Sequence, residues 1–240
     1  VQHGWPASFH PRSRRGRAAI VQLAVAGVRG LRHAAEQRGA RLSIRINTVI
    51  TRDNYDTLGK LPALAQALGA QSWLLMPVDD PAGELRLNKR RLLDYNRRIA
   101  PALAAQALSL GLFQQEREAF PFGKTKAELA ASRDGQYARG VYERQPCYAP
   151  WTHAFVNADG QVGPCCSAPG VTLGDLRDQS LAHIWQNDVY RRFRQSMRDG
   201  QPLPDCAACD TFLRENRVLH RVASDFELRS AIQNPQPEIQ

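Results

Sequence analysis

The chain has 240 residues, 43% of them hydrophobic, and a formal net charge of +9 carried almost wholly by arginine, with lysine only at Lys60, Lys89, Lys124 and Lys126. Such length and apolar content suit one large packed domain or two smaller ones and exclude a disordered polymer, and no run approaches the roughly 18 to 20 apolar residues of a membrane span. The basic residues are spread over every segment of an alanine-rich chain, as a GC-rich coding bias would leave them, and no nucleic-acid module is visible. Neither a nucleic acid nor a membrane is therefore expected as a partner.

In chain order, Ile20, Leu23, Gly27, Leu31 and Ala35 recur at helical spacing with Gln22, Arg29 and Arg32 off that face. This predicts an amphipathic helix over residues 16–37, stopped at Gly39. Ser13-Arg14-Arg15 before the apolar stretch 18–28 superficially resembles a twin-arginine export signal, but the helix accounts for the stretch without export. Residues 41–50 are rich in β-branched side chains and read as a strand, 55–68 as a helix ended by Gly69, and 71–78 as a second strand closed by Pro77 and Asp79-Asp80-Pro81. Residues 88–110 read as another helix, with Pro101 as a kink or break. Helix, strand, helix, strand, helix is the order of a parallel α/β fold, in which each crossover is a helix. A helix over 126–137 then leads to a domain boundary expected near residue 145.

Beyond the boundary, residues 155–162 read as a hairpin with Asp159-Gly160 in a two-residue type I′ loop. Leu181, Ile184, Trp185, Val189, Tyr190 and Phe193 have helical spacing, and Gly200, Pro202 and Pro204 stop that helix. Residues 234–240 read as a frayed tail.

All five cysteines follow residue 146, and an odd count fits a paired disulfide framework poorly. Nothing demands an oxidising compartment, so the expected location is the cytoplasm. Cys206-Ala207-Ala208-Cys209 has the two-residue spacing with which a tight loop offers two thiolates to one metal centre. A thioredoxin-like redox pair would open a helix after a strand, whereas prolines precede this one. Cys147 and Cys165 flank the hairpin and complete a set of four; Cys166 competes with Cys165 for its place. A four-cysteine zinc site would use the same ligand chemistry. His153 and His183 lie nearby and read as structural histidines.

Val156-Asn157-Ala158-Asp159-Gly160-Gln161-Val162-Gly163-Pro164-Cys165-Cys166, Leu173-Gly174-Asp175-Leu176, Ser180-Leu181-Ala182-His183-Ile184-Trp185 and Pro204-Asp205-Cys206 together resemble the SPASM and twitch domains that follow the barrel of radical S-adenosylmethionine (SAM) enzymes. Residues 10–16, Gly30-Leu31-Arg32, the stretch 45–54 and Met76-Pro77-Val78 extend the resemblance into the barrel. The resemblance implies an α/β fold: a partial parallel (β/α) radical-SAM-type barrel over 1–145, a small α+β twitch-like cluster domain over 146–225 and a tail over 226–240. It implies one auxiliary [4Fe–4S] cluster on Cys147, Cys165, Cys206 and Cys209, the spacing from Gly160 favouring Cys165 over Cys166. It implies contacts to SAM at Asn47 and Met76, although Met76 reads equally well as a core residue. Catalytic residues are not assigned.

The chain departs from the family in having no cysteine before Cys147, so the CxxxCxxC motif that holds the catalytic cluster is absent, as is the glycine- and glutamate-containing motif. The expectation is a fragment of a longer enzyme, or else a remnant using only the auxiliary cluster. The implied activity is passage or acceptance of an electron during radical modification of a peptide, protein or small molecule, with a reductase or ferredoxin-type electron donor. A non-catalytic iron–sulfur or zinc scaffold is the competing class.

Overall fold

The computed structural model describes residues 14–210 and 213–233. Residues 10–13 of the barrel resemblance, Ser13 of the arginine pair's context and the 234–240 tail lie outside them. The described chain forms two compact units: one takes in the chain up to Met76 and again Leu93–Pro121, the other Pro77–Leu92 and the chain from Phe122 onward.

In the first unit, α1 (Arg14–Gln37) ends before Gly39, whose φ of +60° supplies the left-handed residue a helix stop requires. Strand β1 (Arg45–Ile50) starts four residues later than the sequence pattern suggests. The helix expected from Tyr55 is shorter: Asn54 folds back, its Oδ1 accepting from Thr51 N and its Nδ2 donating to Val49 O. Only a 3-10 turn (Leu58–Lys60) and α2 (Leu61–Ala67) follow that turn. Strand β2 (Ser72–Pro77) pairs with β1. Gln71 N–H donates to Ile44 O (2.9 Å) just before both strands begin, which sets the two starts at the same end, as a helical crossover requires.

One helical run then comprises α3 (Lys89–Asp94), a π turn (Tyr95–Ile99) and α4 (Ala100–Ser109). Pro101 does not break it. Its ring crowds the carbonyl four residues back and it has no N–H to offer, and the helix answers with one wider turn, Ala100 N–H reaching Tyr95 O. The unit's core is built on Trp73 (2% exposed), which stacks on Phe113 at 5.3 Å and donates from Nε1 to Thr48 Oγ1 (2.9 Å). α4 lies against α2 and the 3-10 turn Glu116–Ala119, where the buried Tyr95 hydroxyl donates to Ala119 O.

In the second unit, α5 (Lys126–Arg133) opens with a capping box in which Thr125 and Glu128 satisfy each other's backbone N–H groups. It ends at Arg133, short of the expected Tyr137, because Gly135 at φ +77° turns the chain. A short α6 (Ala149–Thr152) precedes the antiparallel sheet β3 (Phe155–Val156), β4 (Gln161–Gly163) and β5 (Gly174–Asp175), with Val156 opposite Val162 and Val162 opposite Gly174.

The hairpin turn differs from the type I′ expectation. Gly160 has φ +82° but Asp159 does not join it on the positive side, and Gly160 N–H donates to Asn157 O. The loop is therefore a turn over 157–160 closed by one left-handed glycine. Asn157 dictates it: its Oδ1 accepts from the N–H groups of both Asp159 and Gln161. The single helix expected over 181–193 is two, α7 (Leu181–Gln186) and α8 (Asp188–Arg198), because Asn187 caps α8 through Tyr190 N–H and donates to Leu173 O. After a 3-10 turn (Pro204–Ala207), α9 (Leu213–Gln233) runs through residues 226–233, which the family resemblance assigns to the tail.

Candidate metal centre

Three separated segments bring the cysteines together. Cys147 lies just before α6, Cys165 two residues after β4, and Cys206 and Cys209 in and after the 3-10 turn. Cys209 N–H donates to Cys206 O (3.2 Å), and in such a winding residues three apart eclipse, so the CxxC spacing puts both thiols on one side. Cys147 and Cys209, 9% and 7% exposed, belong to the buried cluster that includes Ala138, Val141, Tyr142, Met197 and Leu213, and the half-buried Cys165 and Cys206 pack against the same cluster. Cys166 is exposed. All five thiols are free.

The glycines around the site are close-approach positions. A Cβ on Gly163 would stand 2.8 Å from Val171 O, and one on Gly174 would stand 2.7 Å from two carbons of the Ile184 side chain. These contacts explain why the hairpin and the Leu173-Gly174-Asp175 run carry glycine there. They hold Val162, Leu173, Ile184 and Tyr190 in a second buried cluster beneath the strand that delivers Cys165. Arg194 pins α8 on this cluster: its guanidinium lies over the rings of Trp185 (4.5 Å) and Tyr190 (4.2 Å) and donates to the carbonyls of Pro150 and Trp185.

Burial raises the thiol of Cys147, that of Cys165 to about 11 and that of Cys206 to about 12. The other cysteines raise them further, since Cys209 acts on all three and Cys147 on Cys165 and Cys206. Buried as they are, Cys147, Cys165 and Cys206 are poorly placed to ionise alone, and a positively charged metal core would supply what they lack. Backbone hydrogen bonds from Ala149 to Cys147 and from Ser167 to Cys165 act in the thiolate's favour.

Among the described residues no group of three or more His, Cys, Asp or Glu side chains stands arranged to hold a metal ion. The electrostatic coupling and shared packing of the four thiols point the other way. Four free thiols delivered from three segments to one buried cluster are a donor set that fits an iron–sulfur cluster.

Around the thiols lies a network that the sequence reading missed. Asn216 on α9, 1% exposed, accepts at Oδ1 from Tyr148 N–H and donates from Nδ2 to Tyr142 Oη (3.2 Å) and Cys147 Sγ (3.5 Å). Tyr142 Oη in turn meets Cys209 Sγ at 3.9 Å. Burial, and then Cys209 and Cys147, push the Tyr142 phenol well above its ordinary value, so it stays protonated. A cavity of about 240 Å³ opens beside the site, lined by Tyr142, Glu143, Pro202, Leu203, Pro204 and Cys206. His153 and His183 are exposed.

Asn47 and Met76 belong to the first unit. Asn47 is exposed on the face of β1 that carries Arg45 and Val49, and Met76 is half-buried at the end of β2. Among the described residues no helix is long and apolar enough to cross a membrane.

Residues 147–210 match SPASM, an iron–sulfur cluster-binding domain family. A PqqA peptide cyclase of Xanthomonas campestris pv. campestris strain 8004 is 30% identical over 167 residues, which cover 67% of this chain and 41% of that protein. The PqqA peptide cyclase of Granulibacter bethesdensis is 27% identical over 199 residues, 80% of this chain and 48% of its own. The chain therefore spans less than half the length of these relatives. A solved structure of BtrN in an open conformation shares 16% identity and covers 70% of this chain and 92% of its own, but its TM-score of 0.26 establishes no common fold. The resemblance to radical SAM enzymes bearing a SPASM iron–sulfur domain is shown by the matched domain and these relatives together.

Proposed function

We propose, from this kinship with radical SAM enzymes that carry a SPASM-type domain, that Cys147, Cys165, Cys206 and Cys209 hold one auxiliary [4Fe–4S] cluster, and that the chain is the C-terminal portion of such an enzyme. The observation that carries the reading is the convergence of four free thiols from three segments on one buried cluster, within the 147–210 domain match. When bound, the cluster supplies one-electron chemistry. Four thiolates leave no iron open to substrate, so electrons are exchanged without a direct bond. The cavity beside Cys206 gives the half-buried side of the site the readier access for a reductase or ferredoxin-type donor.

β1 and β2 would be part of the wall of a parallel barrel, with Asn47 and Met76 at positions that contact SAM in the intact enzyme. The relatives are named for a peptide substrate, and a peptide is the substrate class we assign to the intact protein. Anaerobic reconstitution should give a brown chain with about four irons and four sulfides. Stoichiometric zinc without sulfide would support the scaffold reading instead. With SAM and dithionite the loaded chain should form no 5′-deoxyadenosine above a cluster-free control, because reductive cleavage requires SAM to chelate an iron lacking a protein ligand. Robust product would show that one of the four cysteines is not a ligand.

A further inference from the structure

Asn216 is a polar side chain with no solvent to answer to, and every polar atom it owns is committed. Tyr148 N–H is a donor that only the amide oxygen can accept, so the backbone fixes which way the amide points. Nδ2 is thereby aimed at Tyr142 Oη and Cys147 Sγ, one N–H for each. Since Tyr142 Oη accepts from Asn216, its own hydrogen is left for the cysteine sulfurs, Cys209 Sγ at 3.9 Å and also Cys147, whose thiolate it favours. One side chain on α9 thus delivers a donor directly to one buried cysteine and, relayed through a tyrosine, to the other. α9 is held for this task a turn further on, where Tyr148 Oη meets His220 Nδ1 at 3.2 Å.

We propose that the Asn216–Tyr142 relay is a positioning device that sets the reduction potential of the cluster from its buried side, by donating hydrogen bonds to the sulfurs of Cys147 and Cys209. The inference rests on the cluster reading given above. Reduction adds an electron to the core and its thiolates, and a donor aimed at a thiolate sulfur stabilises the more negative state more than the oxidised one. The relay therefore raises the potential. It also makes the site asymmetric, because neither Asn216 nor Tyr142 bonds Cys165 or Cys206, the half-buried pair.

The test is an EPR-monitored redox titration of the reconstituted chain and its Tyr142→Phe and Asn216→Ala variants, with Cys166→Ser as control and iron and sulfide measured on every sample. Tyr142→Phe keeps the ring in the core and removes only the hydroxyl. It should disfavour reduction by about three- to tenfold, a fall of roughly 30 to 60 mV at 59 mV per tenfold for a one-electron couple. Asn216→Ala should lower the potential at least as far, since it removes one donor and frees the other. If Asn216→Ala loses its cluster, Tyr142→Phe decides alone. A Tyr142→Phe chain with full iron and an unchanged potential overturns the relay while leaving the cluster reading intact. A wild-type chain without iron and sulfide overturns both.

Discussion

The glycines beside the cysteines permit a test that separates two kinds of close approach. At Gly163 the obstruction is a backbone atom, Val171 O, 2.8 Å from where a Cβ would stand; at Gly174 it is the Ile184 side chain, with two carbons at 2.7 Å and a third at 3.0 Å. Real Cβ contacts do not come so near, so either alanine forces a shift in a region where Val162 and Ile184 are fully buried. Overpacking of this kind costs about 1 to 3 kcal/mol, or a fall in melting temperature of roughly 2 to 4 °C per kcal/mol for a chain of this size. The double-mutant cycles should then diverge. Ile184→Ala alone should cost about 2 to 5 kcal/mol by cavity formation, but in that background Gly174→Ala should cost almost nothing, because the atoms it would strike are gone. Val171→Ala should bring Gly163→Ala no relief, since the carbonyl remains. Urea denaturation of the six variants measures both couplings. Additive behaviour at Gly174 and Ile184, or a Gly163→Ala chain as stable as wild type, would refute the steric reasoning.

Cys206→Ser and Cys209→Ser should each lose iron and sulfide and melt earlier than wild type, because metal binding contributes folding free energy, while Cys166→Ser should retain both and change stability by less than about 0.5 kcal/mol. Equal cluster loss in Cys166→Ser would return Cys166 to the ligand set. The Arg177 side chain and backbone N–H hold the Asp175 carboxyl down to about 2, so its contribution to stability is present above the ordinary aspartate range near 4 and is lost as pH falls toward 2. In Arg177→Ala an NMR titration should find the Asp175 midpoint moved up toward the ordinary value, and an unmoved midpoint would assign the shift elsewhere. Thr125→Ala should cost about 1 kcal/mol by removing the α5 capping box, read as an earlier urea midpoint with an unchanged slope.

Much of the fold was legible because its causes are local. The glycines at 39, 69 and 200 read as stops and adopt left-handed φ, and the alternation of helix and strand through residue 77 appears in order. Three of the misreadings share a physical origin in asparagine. Asn54, Asn157 and Asn187 each satisfy backbone N–H groups with their side chains, which shortens the helix after β1, changes the hairpin turn and divides α7 from α8. Apolar spacing is silent about such bonds: residues 181–193 keep a helical period across the break because α7 and α8 bury Ile184 and Tyr190 against the same strand.

The metal centre divides in the same way. Candidate thiol ligands stand out in a sequence because metal chemistry restricts residue type and the CxxC spacing restricts geometry, and Cys206 and Cys209 fall within one turn. Asn216 meets neither. It acts on Cys147 from 69 positions away, in a helix that residue periodicity did not announce. The available signal was an anomaly: Leu213, Asn216 and His220 fall on one helical face, and an amide among residues facing the interior is costly unless each of its hydrogen bonds is met. A buried amide of that kind implies groups nearby that need it. Here those groups are Cys147 Sγ, the Tyr142 hydroxyl and Tyr148 N–H, so the residue least predictable from composition is the one that ties α9 to the cysteine site it covers.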